Sequence, residues 1–141
     1  GIGRVRPISI TNKNTIAAFT LGHLPTSNIV NKSKLIKLIN IFGRQSVKQL
    51  IDNPSSDEYL KLSRKFSLQI NFFPYELFEF MKLADQVDMI CSMNLFGNTI
   101  FSILKNNEIN EFYRLFLKNN ISGCLLFSSI NHSGAKIIDS S

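Results

Sequence analysis

Residues 89–104, Met-Ile-Cys-Ser-Met-Asn-Leu-Phe-Gly-Asn-Thr-Ile-Phe-Ser-Ile-Leu, constrain the fold most strongly. Two apolar runs flank Phe96-Gly97-Asn98-Thr99. This pattern predicts two short buried strands joined by a tight turn, because Gly97 takes positive φ without strain and Asn98 tolerates it. A single glycine between buried strands also marks a place where a ligand can approach the backbone closely.

The other elements are read around this hairpin. Residues 5–10 and 15–21 are expected strands, separated by the turn Thr11-Asn12-Lys13-Asn14. The second is apolar almost throughout and is expected to be central. Leu35, Leu38, Ile39 and Phe42 recur at helical spacing, with Gly43 a possible interruption before Val47, Leu50 and Ile51. Asn53-Pro54-Ser55-Ser56 ends that helix and starts the next, where Asp57 and Glu58 suit the positive end of a helix dipole. Tyr59, Leu62 and Phe66 give the second helix its stripe. Pro74 suits a first helical position, and Leu77, Phe80, Met81 and Ala84 line the third helix. Beyond the hairpin, a helix over 108–119 turns Ile109, Phe112, Leu115 and Phe116 inward. Residues 123–130 form a strong strand, and 135–138 a short strand or tail.

Strand, three helices, hairpin, helix, strand describes an α+β fold: a ferredoxin-like antiparallel sheet with helices on one face and extra helices in its first crossover. The 141 residues suit one domain with one core. No apolar run approaches the roughly 20 residues of a membrane span, and no signal peptide is visible. The first residue is Gly1, so the chain is read as a fragment or a processed form.

The net charge of +6 is unevenly placed. Residues 1–50 hold eight basic side chains and no acid, whereas residues 51–141 are slightly acidic. Lys32, Lys34, Lys37 and Lys48 are spread, with no stacking aromatics between them, so a solvated helix face is favoured over a nucleic-acid patch. Cys91 and Cys124 each sit in an apolar run without a Cys-x-x-Cys pair or a histidine at ligand spacing. Both are expected to be buried free thiols in a reducing cytoplasm, and no metal site is expected. Walker and dinucleotide-type glycine loops and nucleophile-elbow spacing are absent. His23 and His132 have no carboxylate nearby in sequence, so no catalytic residue is assigned.

Three segments, taken in order, carry a family resemblance. They are residues 22–30 (Gly-His-Leu-Pro-Thr-Ser-Asn-Ile-Val), 59–66 (Tyr-Leu-Lys-Leu-Ser-Arg-Lys-Phe) and 91–101 (Cys-Ser-Met-Asn-Leu-Phe-Gly-Asn-Thr-Ile-Phe). With the closing Ile-Asn-His-Ser-Gly-Ala-Lys of 130–136, they resemble the C-terminal half of archaeal pantoate kinases, in the GHMP kinase superfamily. The resemblance implies a two-domain enzyme that phosphorylates pantoate to 4-phosphopantoate in coenzyme A biosynthesis. Its N-terminal domain, outside this chain, would wrap ATP and Mg2+ and carry the acid–base residues. This chain would be inactive alone. It would supply a loop between two strands, here Ser92, Met93, Leu95, Phe96, Gly97 and Asn98. Gly97 is the only glycine in that loop, so it is expected to shape the substrate pocket rather than cradle phosphates.

Thr26, Arg64, Ser92 and Met93 are the candidate substrate contacts. Leu95, Phe96, Gly97 and Asn98 form the loop next to the phosphates. Arg64 enters on chemistry alone, since a guanidinium fork suits a carboxylate. The expected partners are the N-terminal kinase domain and a small acidic substrate, with no membrane, nucleic acid disfavoured, and a homodimer possible through exposed apolar surface. The alternative reading is a stand-alone ferredoxin-like module that binds nucleic acid or an acidic partner through its basic first third.

Overall fold

The computed structural model describes residues 7, 8, 10, 12–23, 33–95, 98–119 and 122–131. Strand β1 (Thr15–Thr20) is followed by three helices, α1 (Ser33–Asp52), α2 (Ser56–Ile70) and α3 (Tyr75–Asp85). Strands β2 (Ser92–Met93) and β3 (Thr99–Leu104) form the hairpin. A 3-10 turn at Asn106–Glu108 leads into α4 (Ile109–Lys118), and β4 (Cys124–Ser129) closes the sheet. The strand order is β2-β3-β1-β4 and every pairing is antiparallel. This is the expected ferredoxin-like α+β arrangement, with β1 central as its apolar sequence requires.

Register places alternate residues of β1 on opposite faces. Ala17 lies between Ser102 and Phe127, and Phe19 between Ile100 and Leu125. Both are fully buried and join Leu77, Phe80, Met81 and Ala84 of α3 and Phe112 of α4 in the main core. Aromatic side chains tie the layers together. The Phe19 ring lies 5.4 Å from Phe80 and 5.2 Å from Phe116, and Phe112 meets Phe80 at 5.4 Å and Phe127 at 6.1 Å. The opposite face is more open: Ile16 and Leu126 are exposed there.

The helix ends follow their sequences. Ser55 caps α2 by accepting from the Glu58 N–H at 3.2 Å, with Asp57 and Glu58 in the first turn. Asn71 ends α2 in the left-handed conformation (φ 50°), its N–H donating to the Ser67 carbonyl at 3.0 Å. Helix α2 flanks the β2 edge, where the Ser67 hydroxyl donates to the Met93 carbonyl (3.3 Å). Helix α1 packs on α2, and Leu35 and Ile70 centre a second cluster with Ile39, Phe42, Phe66, Phe72 and Leu95.

Several expectations are corrected. Pro7, Ile8 and Ile10 lie in no strand, and the rest of 5–10 falls outside the described residues, as does 135–138. Gly43 does not interrupt α1, because the helix continues through it with space to spare: a Cβ there would sit 3.7 Å from the Phe66 ring. Pro74 caps α3 rather than opening it, and its extended backbone (ψ 148°) is not helical. Strand β2 has only two residues. Cys124 is exposed rather than buried, because β4 is an edge strand and Cys124 shares the open face with Leu126. Among the described residues, no helix is long and apolar enough to cross a membrane.

Candidate functional site

The hairpin loop sits where β2 ends and β3 begins. The Asn94 N–H donates to the Thr99 carbonyl at 2.9 Å, closing the loop at its base. The Leu21 N–H donates to the Asn98 carbonyl at 2.8 Å, tying the loop to the segment that leaves β1. There Gly22 adopts φ 113°, which only glycine takes easily, and its N–H donates to the Thr20 hydroxyl at 3.1 Å. Leu21 and Gly22 therefore meet Asn98 at one end of the sheet. His23 lies in this loop region and is exposed.

Among the described residues, two polar atoms in this motif have no partner. The Asn98 Oδ1 and the Ser92 Oγ are both buried and accept or donate no hydrogen bond. Leaving a buried polar group unsatisfied costs about 1–3 kcal/mol, so such atoms need a physical reason. Ser92 is itself wholly buried and Met93 nearly so. Both lie under the sheet edge, and neither presents its side chain to solvent. Leu95 is half-buried against the Leu35–Ile70 cluster. Asn98 is half-buried, and its unpaired acceptor lies in the loop itself.

Arg64 stands elsewhere. It lies on α2 beside Ile90, at the entry to β2 rather than its exit. Its guanidinium grips Asp85 at the end of α3 with both prongs, Nη1–Oδ1 at 2.5 Å and Nη2–Oδ2 at 2.6 Å. The pair lines an open groove of about 590 Å3 together with Lys61 and Lys65. Cys91 is buried close by. Burial pushes its thiol up to about 12, with the Arg64 charge and the nearby Ser102 hydroxyl acting the other way. A thiol so raised is not a nucleophile at neutral pH.

The structure thus brings Leu95 and Asn98 together at the loop, buries Ser92 and Met93 beside them, and leaves Arg64 apart. Thr26, Phe96 and Gly97 lie outside the described residues. Sequence reasoning missed Asp85 as the partner of Arg64, since 21 residues separate them and no helical spacing links them. It read Gly22 as the first residue of the family-like segment 22–30 without anticipating its positive φ. Among the described residues, no three His, Cys, Asp or Glu side chains converge as a metal-binding group.

Sheet order and helix placement define a ferredoxin-like domain with three helices in its first crossover. The chain is related to the archaeal pantoate kinases. It is 26% identical over 102 residues to the pantoate kinase of Thermococcus kodakarensis, covering 72% of this chain and 34% of that protein. It is 27% identical over 119 residues to the pantoate kinase of Methanocaldococcus jannaschii, covering 83% of this chain and 43% of that protein. The chain therefore spans less than half the length of these relatives. A solved structure described as a phosphotransferase related to the CoA biosynthesis pathway superposes with a TM-score of 0.79 at 22% identity, over 92% of this chain and 41% of that one. No family model matches the chain.

Proposed function

We propose that this chain is the C-terminal part of an ATP-dependent kinase that phosphorylates a small hydroxy acid, with pantoate as the substrate and 4-phosphopantoate as the product. The observation that carries this reading is the similarity to two pantoate kinases over 72% and 83% of the chain. The fold likeness agrees with it.

Phosphoryl transfer relies on positioning and charge stabilisation more than on covalent chemistry by the protein. The part offered by this chain is a wall at one end of the sheet, where backbone bonds from Asn94 to Thr99 and from Leu21 to Asn98 fix the residues that flank the loop. The buried Asn98 Oδ1 has no partner among the described residues, and a substrate hydroxyl that reached it would remove the cost of leaving it bare. Ser92, Met93 and Leu95 support the loop from behind. The resemblance to the two-domain kinases assigns ATP and Mg2+ to the N-terminal part of the enzyme. Arg64 is assigned to Asp85 rather than to substrate, because both its prongs are already engaged. The enzyme is placed in the cytoplasm.

The test uses the complete gene product that contains this chain. Asn98→Ala should raise KM for pantoate about tenfold, the size of one lost hydrogen bond, with KM for ATP little changed. An unchanged KM for pantoate would remove Asn98 from the site.

A further inference from the structure

We infer that Gly123 is a positioning residue for the proposed substrate site: its lack of a side chain lets the peptide between Thr20 and Leu21 take the angle that holds Asn98. The inference rests on the kinase reading. It adds to that site a residue from the far side of β1, away from the hairpin.

Gly123 directly precedes β4 and has no positive φ; among the described glycines, Gly22 alone does. Backbone conformation therefore does not call for glycine at 123, and alanine would gain there by restricting the unfolded chain. Space does call for it. A Cβ at 123 would lie 2.5 Å from the Thr20 carbonyl oxygen and 2.5 Å from the Phe19 ring, well inside ordinary contact distance. Neither neighbour is free to step aside. Phe19 is fully buried, with its ring against Phe80 and Phe116. The Thr20 carbonyl is backbone of the central strand, where Thr20 pairs with Cys124 on one side and Thr99 on the other.

The link from Gly123 to Asn98 runs through one peptide unit. The Thr20 carbonyl and the Leu21 N–H belong to the same rigid plane and point in opposite directions. The oxygen faces Gly123 on the β4 side, and the N–H donates to the Asn98 carbonyl on the β3 side at 2.8 Å. A side chain that pushed the oxygen away from β4 would tilt this plane and swing the N–H out of line with Asn98. The Thr20 hydroxyl accepts from the Gly22 N–H at 3.1 Å, so the turn that leaves β1 would move with it. Asn98 carries the Oδ1 that has no partner among the described residues and that the proposed site offers to substrate. Gly123 thus acts on that atom through the backbone and touches no substrate itself.

The test uses the complete gene product. Gly123→Ala should raise KM for pantoate about tenfold, as a slightly misplaced contact does, with KM for ATP and kcat within about twofold of the parent. By NMR, amide hydrogen exchange at Leu21 should quicken about tenfold or more, while that of Ala17, in the middle of β1, stays unchanged. Ser128→Ala, exposed near the other end of β4, should alter none of these. If Gly123→Ala does not fold, it is combined with Phe19→Leu, which relieves the ring contact and keeps the carbonyl one. Compared with Phe19→Leu alone, the double variant should show the same rise in KM for pantoate. An unchanged KM for pantoate, or equal losses for pantoate and ATP, overturns the proposal. So does a Leu21 amide that exchanges in the parent as fast as an unbonded one, whatever the variants do. A parent protein that transfers no phosphoryl group to pantoate would instead fail the kinase reading, and the exchange measurement would still show whether Gly123 holds the Leu21 peptide.

Discussion

Arg64 and Asp85 form a two-pronged ion pair that joins the middle of α2 to the last turn of α3, with Nη1–Oδ1 at 2.5 Å and Nη2–Oδ2 at 2.6 Å. The Arg64 side chain is largely covered while Asp85 is half exposed. Fork geometry makes such a pair stronger than an ordinary surface bridge, though water and salt still weaken it. A double-mutant cycle of Arg64→Ala and Asp85→Ala should give a coupling of about 0.5–1 kcal/mol in chemical denaturation. Arg64→Lys should retain less than half of it, because an ammonium cannot form both bonds. Zero coupling would show that the contact does not tie the helices.

Ser92 and Ser102 offer a paired comparison in one hairpin. The Ser102 hydroxyl donates to the Ile90 carbonyl at 2.7 Å, whereas the buried Ser92 hydroxyl has no partner among the described residues. Ser102→Ala should cost about 1–2 kcal/mol, and Ser92→Ala should be neutral or stabilising. Thermal denaturation of the two variants decides it. A large loss at Ser92 would mean that its hydroxyl finds a partner in solution.

The two thiols should react very differently. Cys91 is fully buried, its thiol pushed up to about 12 by that burial, while Cys124 is exposed on the edge strand. Under native conditions a thiol reagent such as DTNB should label one equivalent quickly, at Cys124. The second should appear only when the protein unfolds. Rapid release of two equivalents from folded protein would contradict the placement of Cys91.

The Lys13–Asp57 pair, at 2.6 Å, links the entry to β1 with the first turn of α2. The Lys13 hydrogen bond holds the Asp57 carboxyl below its ordinary value of 3.8. A carboxylate depressed on folding stabilises the protein above its unfolded pKa, and that stabilisation fades as pH falls through the folded value. Lys13→Met should therefore be less stable than the parent by a constant margin above about pH 5, with the margin closing below pH 3.8. A margin that persists to acid pH would assign the loss to packing of the lysine stem instead.

Much of the fold was legible because certain helices bury a single stripe. Leu77, Phe80, Met81 and Ala84 repeat at i, i+3, i+4 and i+7 and are all fully buried, as the spacing of α3 predicts. Helix α2 was harder to read. It lies between α1 and the β2 edge, so Leu60 and Leu62 are both buried while Tyr59, expected to face inward, is exposed. One periodic stripe cannot describe a helix buried on two sides. The apolar run of β4 suggested an interior strand, yet sheet order puts it at an edge, which no local pattern encodes. At the candidate site, the pairing of β2 with β3 was visible from the two apolar runs, while the turn residues Phe96 and Gly97 lie outside the described residues. The engagement of Arg64 by Asp85 and the bare Asn98 acceptor depend on tertiary placement, which sequence spacing does not carry.

The most direct test is phosphoryl transfer by the complete gene product containing this chain, with ATP, Mg2+ and pantoate, followed by 31P NMR and mass spectrometry. The proposed function predicts ATP-dependent formation of 4-phosphopantoate, with residues 1–141 alone giving none. Absence of transfer to pantoate by the complete, folded protein that binds ATP would contradict the assignment of pantoate as substrate. Absence of both ATP binding and transfer to any hydroxy acid would contradict the kinase reading itself.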